Sequence, residues 1–230
     1  MTTTDKLPLD KRIFVPNSDL RTFGSPGASL TWGIGGQKGG VVAAGLEGEK
    51  MTAKILDAFV QNPNTRNMRV FHSIQWPGSN GDTDHIVVMG NLVLLVDSKR
   101  WKSKRKYSVT PRGAILRGTV NFPEGKVKMV PALASWKKVL PKEAKVYGIV
   151  CVAQKEVFVP QDKNWYKAPF RLVTAEKLIP HIVETIKREQ TKNPGIVEGY
   201  NKNILATIGS NMVKPRNRLE ELLNREALEN

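Results

Sequence analysis

Two short, unbroken apolar runs dominate the middle of the chain. Residues 84–89 read DHIVVM and residues 92–97 read LVLLVD. Both are rich in β-branched side chains, and they are separated only by Gly90 and Asn91. This pattern predicts a β-hairpin closed by a two-residue turn whose central positions favour φ > 0. Residues 68–76 and 145–152 are similarly apolar, and the second run is continuous enough for a strand buried on both sides of a sheet. Helical spacing takes over at residues 46–60, where Met51, Ile55, Leu56 and Phe59 form one stripe. It returns at residues 131–140 with Leu133, Trp136 and Leu140. Short strands are expected at 107–110, 114–118 and 170–173. A further helix should run from a Thr174 cap to Arg188, with Pro180 as a kink or restart. Strands interleaved with helices predict an α/β fold built on a mixed sheet.

Breaks in this pattern divide the chain into three. Residues 1–44 carry Pro8, Pro16, Pro26 and the glycine run GIGGQKGG at 33–40, and read as an N-terminal extension or linker. The glycine run is not a phosphate loop, because Lys38 is followed by Gly39 and no hydroxyl comes next. Residues 45–190 hold the periodic elements and form the expected domain. After the break TKNPG at 191–195, residues 191–230 read as a helical appendage. Leu219, Leu222 and Leu223 there could pack on the core or on a protein partner.

The turn at Gly90–Asn91 fixes a register. It pairs Met89 with Leu92, Val88 with Val93, Ile86 with Leu95 and, by extension, Asp84 with Asp97 and Asp82 with Lys99. Side chains alternate along a strand, so Asp84, Asp97 and Lys99 are expected on one face. Opposed residues have Cβ atoms about 4.5–5.5 Å apart. Two such carboxylates repel unless a cation lies between them. Mg²⁺ takes oxygen ligands of this kind, and a neighbouring lysine can then orient or activate water or offset charge at phosphorus. These are the ingredients of phosphodiester hydrolysis. The plainer alternative is an ordinary hairpin whose charged ends face solvent. His85 alternates away from Asp84, so it is not expected on the metal, and His72 within a strand is expected to be structural.

The hairpin and what precedes it resemble the nuclease-related domain (NERD) family, a branch of the PD-(D/E)XK nuclease superfamily. The motifs are GLEGE at 45–49, DHIVV at 84–88 and VDSKRW at 96–101, in that order, within roughly residues 40–155. The resemblance implies a restriction-endonuclease-like fold, dependence on Mg²⁺ or Mn²⁺ and a nucleic-acid substrate, DNA in preference to RNA. It points to Glu49 as the helix acid, with Glu47 second, beside Asp84 and Asp97 as metal ligands and Lys99 as a catalytic cation. Three departures stand out. Asp97 replaces the usual glutamate, Ser103 replaces a glycine, and VPALA at 130–134 lacks the family's glutamine. A module that binds nucleic acid without cutting it is therefore the alternative reading.

Charge strengthens the polyanion expectation. Lys+Arg is 36 against Asp+Glu 21, a net +15, with pI ≈ 10.0. Arg100, Lys102, Lys104, Arg105 and Lys106 cluster just past Lys99, bracketed by Trp101 and Tyr107. The cations could neutralise phosphates and the aromatics could stack on bases, although a solvated loop would look the same. No stretch approaches the ~18 consecutive apolar residues of a membrane span. The first residues lack the apolar core of a secretory signal. Cys151 is the single cysteine and sits in an apolar run, which suggests a buried thiol and a reducing, cytoplasmic setting. No cysteine–histidine cluster suggests zinc.

Overall fold

The computed structural model describes residues 21–28, 39–102, 104–123, 127–154, 159 and 167–212. The chain runs β1 (Thr22–Phe23), α1 (Gly39–Val60), β2 (Met68–Gln75), β3 (Asp82–Met89), β4 (Leu92–Lys99), β5 (Tyr107–Val109), β6 (Ile115–Arg117), β7 (Val120–Asn121), α2 (Met129–Val139), β8 (Lys145–Val152), β9 (Arg171–Thr174), α3 (Ala175–Lys192) and α4 (Lys202–Gly209). Six strands form one mixed sheet in the order β1-β2-β3-β4-β8-β9, and β5-β6-β7 form a small second sheet. The β3–β4 hairpin is antiparallel, whereas β8 joins β4 in parallel and β9 joins β8 in parallel. A mixed sheet flanked by helices is the α/β, restriction-endonuclease-like architecture expected from the sequence.

Period-two alternation sorts the central strands into two cores. Ile86, Val88, Val93 and Leu95 pack with Leu133 and Trp136 of α2 and with Ile204, Leu205 and Ile208 of α4. Val87, Leu94 and Val96 face the other way, onto Leu56 and Val60 of α1 and Leu178 and Ile182 of α3. Cys151 is buried in this second core, and burial pushes its thiol up to about 12. No helix among the described residues is long and apolar enough to cross a membrane.

The hairpin register is the one the turn dictates: Met89↔Leu92, Val88↔Val93, Val87↔Leu94, Ile86↔Leu95 and His85↔Val96. Of the two turn residues only Gly90, at φ 58°, takes the left-handed region. A side chain there would also meet the Ile196 carbonyl oxygen at 2.5 Å, so glycine is required twice over. Asn91 is fixed from outside the hairpin, its N–H bonded to Ile196 O at 2.7 Å and its carbonyl accepting from Lys145 N at 2.8 Å.

Three expectations about boundaries are corrected. The N-terminal extension is not wholly outside the core: Thr22–Phe23 pair with Val70 and Phe71, and Phe23 stacks on Phe71 at 5.3 Å. Helix α1 starts at Gly39, inside the glycine run rather than after it. The break at 191–195 does not end the domain either, because Ile196, Val197, Ile204, Leu205 and Ile208 are buried against the sheet. Short apolar segments of this kind are added by tertiary contact and leave little periodic trace. Thr174 does sit at the α3 cap position, but its side chain makes no capping bond there. The C-terminal leucines lie outside the described residues.

Candidate active site

The acidic constellation forms where β3 and β4 part company. Their mutual ladder runs from the turn to the His85–Val96 pair. Beyond it, β3 stays with β2 through Gln75↔Asp82 while β4 stays with β8 through Lys99↔Val152. Asp84 reaches into this fork. Its Oδ2 accepts a hydrogen bond from the Ser98 backbone N–H at 2.6 Å, taking the place of a ladder carbonyl. The aspartate is 7% exposed. Burial raises its pKa well above the usual carboxylate range, and the Asp97 charge is the next largest cause, followed by Glu49.

Asp97 is partly buried and closely paired. Lys99 Nζ lies 2.7 Å from each of its oxygens, with the hydrogen bond going to Oδ1. Burial pulls the Lys99 pKa down, but Asp97, Asp84 and Glu49 together outweigh it, so the amine is held above the ordinary lysine range. The three acids thus favour its cationic form. The expected Asp82–Lys99 pairing is replaced by this Asp97 pair. Asp82 instead acts on Glu49, raising its pKa.

Helix α1 delivers the third acid. Glu49 is 4% exposed, and its pKa is raised to about 7, first by burial and then by Asp82. The Gly27 amide and Lys99 pull the other way. Glu47, the second candidate, lies on the exposed side of α1 and pairs with Arg100. The structure therefore brings Glu49, Asp84, Asp97 and Lys99 together and leaves Glu47 outside.

One carboxylate oxygen here, Glu49 Oε2, is buried without a hydrogen-bond partner, and Asp97 Oδ2 has only the Lys99 ammonium beside it. Three acids with Asp82 nearby and one lysine leave an excess of negative charge in a buried place, which is costly. The donors are all hard oxygens, the type that Mg²⁺ and Mn²⁺ take. This set fits a divalent cation. Among the described residues no three acidic, histidine or cysteine side chains already converge to metal-binding spacing.

Some site features have no signature in the sequence. Ser73 sits at φ 52°, an uncommon conformation for a non-glycine residue. Its Oγ donates to Ser25 O at 2.8 Å and accepts from Ala28 N at 3.0 Å, which pins the 25–28 loop where Gly27 meets Glu49. A buried polar chain also runs behind the fork. Asp57 Oδ1 is 3.0 Å from His72 Nε2, His72 Nδ1 is 2.7 Å from His85 Nδ1, and His85 Nε2 is 3.0 Å from Ser98 Oγ. His85 thus turns away from the acids, as alternation requires, and His72 is held between Asp57 and His85. Ser98 links the two systems, its side chain on the histidines and its N–H on Asp84.

The basic segment is split. Arg100, Lys102, Lys104, Arg105 and Lys106 are exposed, Arg100 in its pair with Glu47. Trp101 is not presented as a stacking platform: it is 8% exposed, packed 4.7 Å from Tyr107 and 5.5 Å from Phe122. Tyr107 is fully buried. The small β5-β6-β7 sheet folds over both rings, so their bulk serves the core. Ser103 lies outside the described residues. Ala134, where the family has glutamine, is exposed on α2.

Comparison with known proteins gives one match. Residues 44–152 match the family described as the nuclease-related domain, NERD. No curated protein and no solved structure matches the chain. The matched stretch begins within α1, ends with β8 and contains every member of the acidic constellation.

Proposed function

We propose that this protein is a metal-dependent nuclease that hydrolyses phosphodiester bonds, with DNA as its substrate. The observation that carries the reading is the charge-coupled group Glu49, Asp84, Asp97 and Lys99, with Glu49 Oε2 buried and unbonded, inside the stretch that matches the nuclease-related domain. Asp84, Asp97 and Glu49 would hold Mg²⁺ or Mn²⁺. Such an ion, when bound, polarises a phosphoryl oxygen and lowers the pKa of water.

The protein's own groups do the rest. Lys99 stays cationic and offsets the negative charge that builds at phosphorus. The Ser98 N–H fixes the Asp84 carboxylate, and through it the orientation of the fork. Arg100, Lys102, Lys104, Arg105 and Lys106, immediately past Lys99, hold the backbone of the substrate. Cleavage of DNA with Mg²⁺ by the wild type, Asp97→Ala and Lys99→Ala tests this. Loss of cutting in both variants is the expected result, and equal cutting by all three removes these residues from the chemistry.

The second reading is a nuclease-like module that binds nucleic acid without cutting it. Alanine in place of the family's glutamine at position 134 favours it. Its mark is salt-sensitive binding with no metal-dependent turnover.

A further inference from the structure

At the far end of the sheet from the acids, strand β8 is left partly uncovered. Strand β9 pairs only with Ile149–Val152. Among the described residues, no strand lies outside positions 145–148. Two adjoining hollows of about 440 and 400 Å³ occupy this edge and share Lys137, Val146 and Tyr147. Six cations line them: Lys137 from α2, Lys142 from the turn before β8, Lys145 at the start of β8, Arg171 from β9, and Arg188 and Lys192 from α3. Neither lining contains an aspartate or glutamate.

The cations are held in place. Glu189, buried on α3, takes Arg188 Nε at 3.0 Å and Lys192 Nζ at 3.1 Å, and the Arg188 guanidinium lies 5.3 Å from the Tyr147 ring centre. Phe170 and Pro169 add an apolar floor. The local potential is felt by the groups inside. Burial lowers Arg171 to about 10 with Arg188 as the next cause, and burial followed by Arg171 lowers His181 to about 4.

We infer that this edge groove binds the sugar–phosphate backbone of a single nucleic-acid strand, at a site separate from the acidic fork. The inference rests on the nucleic-acid reading above. The charge complements a polyanion. The paired hollows suit an elongated ligand, and their size admits a nucleotide at a time but not a duplex. The half-buried ring of Tyr147 offers planar, apolar surface for a base, the usual partner of a basic groove in strand binding. The fork lies at the other end of the same strands, Lys99 facing Val152 while Leu92 faces Lys145. At ~3.3 Å per residue the two ends are about 23 Å apart. The groove would therefore hold a strand away from the point of cleavage.

The test uses the full chain in EDTA with a fluorescent single-stranded oligonucleotide of about 12 nucleotides. Anisotropy compares wild type with Lys137→Glu/Lys142→Glu/Lys145→Glu. A control, Lys54→Glu/Lys187→Glu/Lys202→Glu, carries the same charge change on exposed lysines elsewhere. The groove triple should weaken binding at least tenfold and lower the salt slope by about 2, with about 0.7 per lost phosphate contact. The control should change affinity less than threefold. Equal weakening by both, no binding by the wild type at low salt, or a duplex competing as well as the single strand overturns the inference. Histidine NMR provides a reading independent of the triple variant. Saturating oligonucleotide should raise the His181 pKa from its free value, and an unmoved His181 signal counts against the groove. Cleavage by a protein whose groove triple binds like wild type sinks the groove and leaves the nuclease reading standing. Groove-dependent binding without cleavage does the reverse.

Discussion

The two ends of strands β4 and β8 hold charge in opposite ways. At one end Glu49 and Asp84 are buried, Asp97 is partly so, and the three acids share a single close lysine. At the other end cations line an open groove, and its lysines stand exposed to solvent. The apolar middle of the strands is shared. Buried like charges strain the fold, whereas exposed lysines on flexible stems cost little. The acidic end should therefore link function to stability, and the exposed lysines of the basic end should affect binding with almost no effect on folding.

The largest expected effect is kinetic and confined to one end. Asp97→Ala or Lys99→Ala should lower DNA cleavage by about 10²–10³-fold each, the range for removing one group that stabilises developing charge. Binding of the oligonucleotide in EDTA should change less than threefold. If these variants lose binding in parallel with cutting, the two ends are one site and the contrast fails.

Acidification should act on the ends with opposite signs. His181 has a folded pKa of about 4 against 6.5 ordinarily, lowered first by burial and then by Arg171, with Arg188 adding to this and Glu184 opposing it. The unfolded chain binds the proton first, so stability is lost as pH falls from about 6.5 to about 4, by up to about 3 kcal/mol. Glu49 has a folded pKa of about 7 against 4.5. Here the folded state binds the proton first, so without metal its strain is relieved as pH falls from about 7 to about 4.5, by a similar upper amount. Denaturant unfolding across this range should show His181→Gln removing the first slope and Glu49→Gln the second. Two variants with the wild-type profile would mean that neither group carries the local field assigned to it.

Much of this was legible beforehand, for physical reasons that differ by element. The hairpin register could be read because period-two alternation and a glycine turn each fix it independently, and they agree. The choice of Glu49 over Glu47 rested on family likeness alone. Helix spacing does not separate them, and burial under the 25–28 loop does. Trp101 misled because an aromatic among cations looks the same whether it stacks on a base or fills a core. Phe23, Ile196 and Ile204 were invisible as core because their segments are too short to show a period. The edge groove was invisible for a related reason. Its cations come from α2, β8, β9 and α3, and no run of sequence gathers them.

A smaller effect sharpens the acidic end. Asp84→Asn keeps an oxygen to accept the Ser98 N–H but removes a buried charge next to Asp97 and Glu49. In EDTA the variant should be more stable than wild type by about 1–2 kcal/mol, the usual gain when a strained functional charge is removed. Added Mg²⁺ should raise the melting temperature of the wild type and not that of the variant. A destabilised variant in EDTA would show that the Asp84 carboxylate is a structural acceptor first, and that its proximity to Asp97 is incidental.

The smallest expected effect lies at the border of the two regimes. Arg100 follows directly on Lys99, yet its guanidinium is taken by Glu47 on α1. Both partners are substantially exposed, so the pair should contribute under about 0.5 kcal/mol to folding. Glu47→Gln should leave the melting temperature nearly unchanged and free Arg100 for phosphate. Oligonucleotide binding should then tighten by two- to threefold at low salt, and the gain should vanish at high salt. The same gain in an Arg100→Ala background would locate the effect in the loss of one negative charge near the fork. Its absence there would assign Arg100 to the substrate side and make Glu47 a restraint on it.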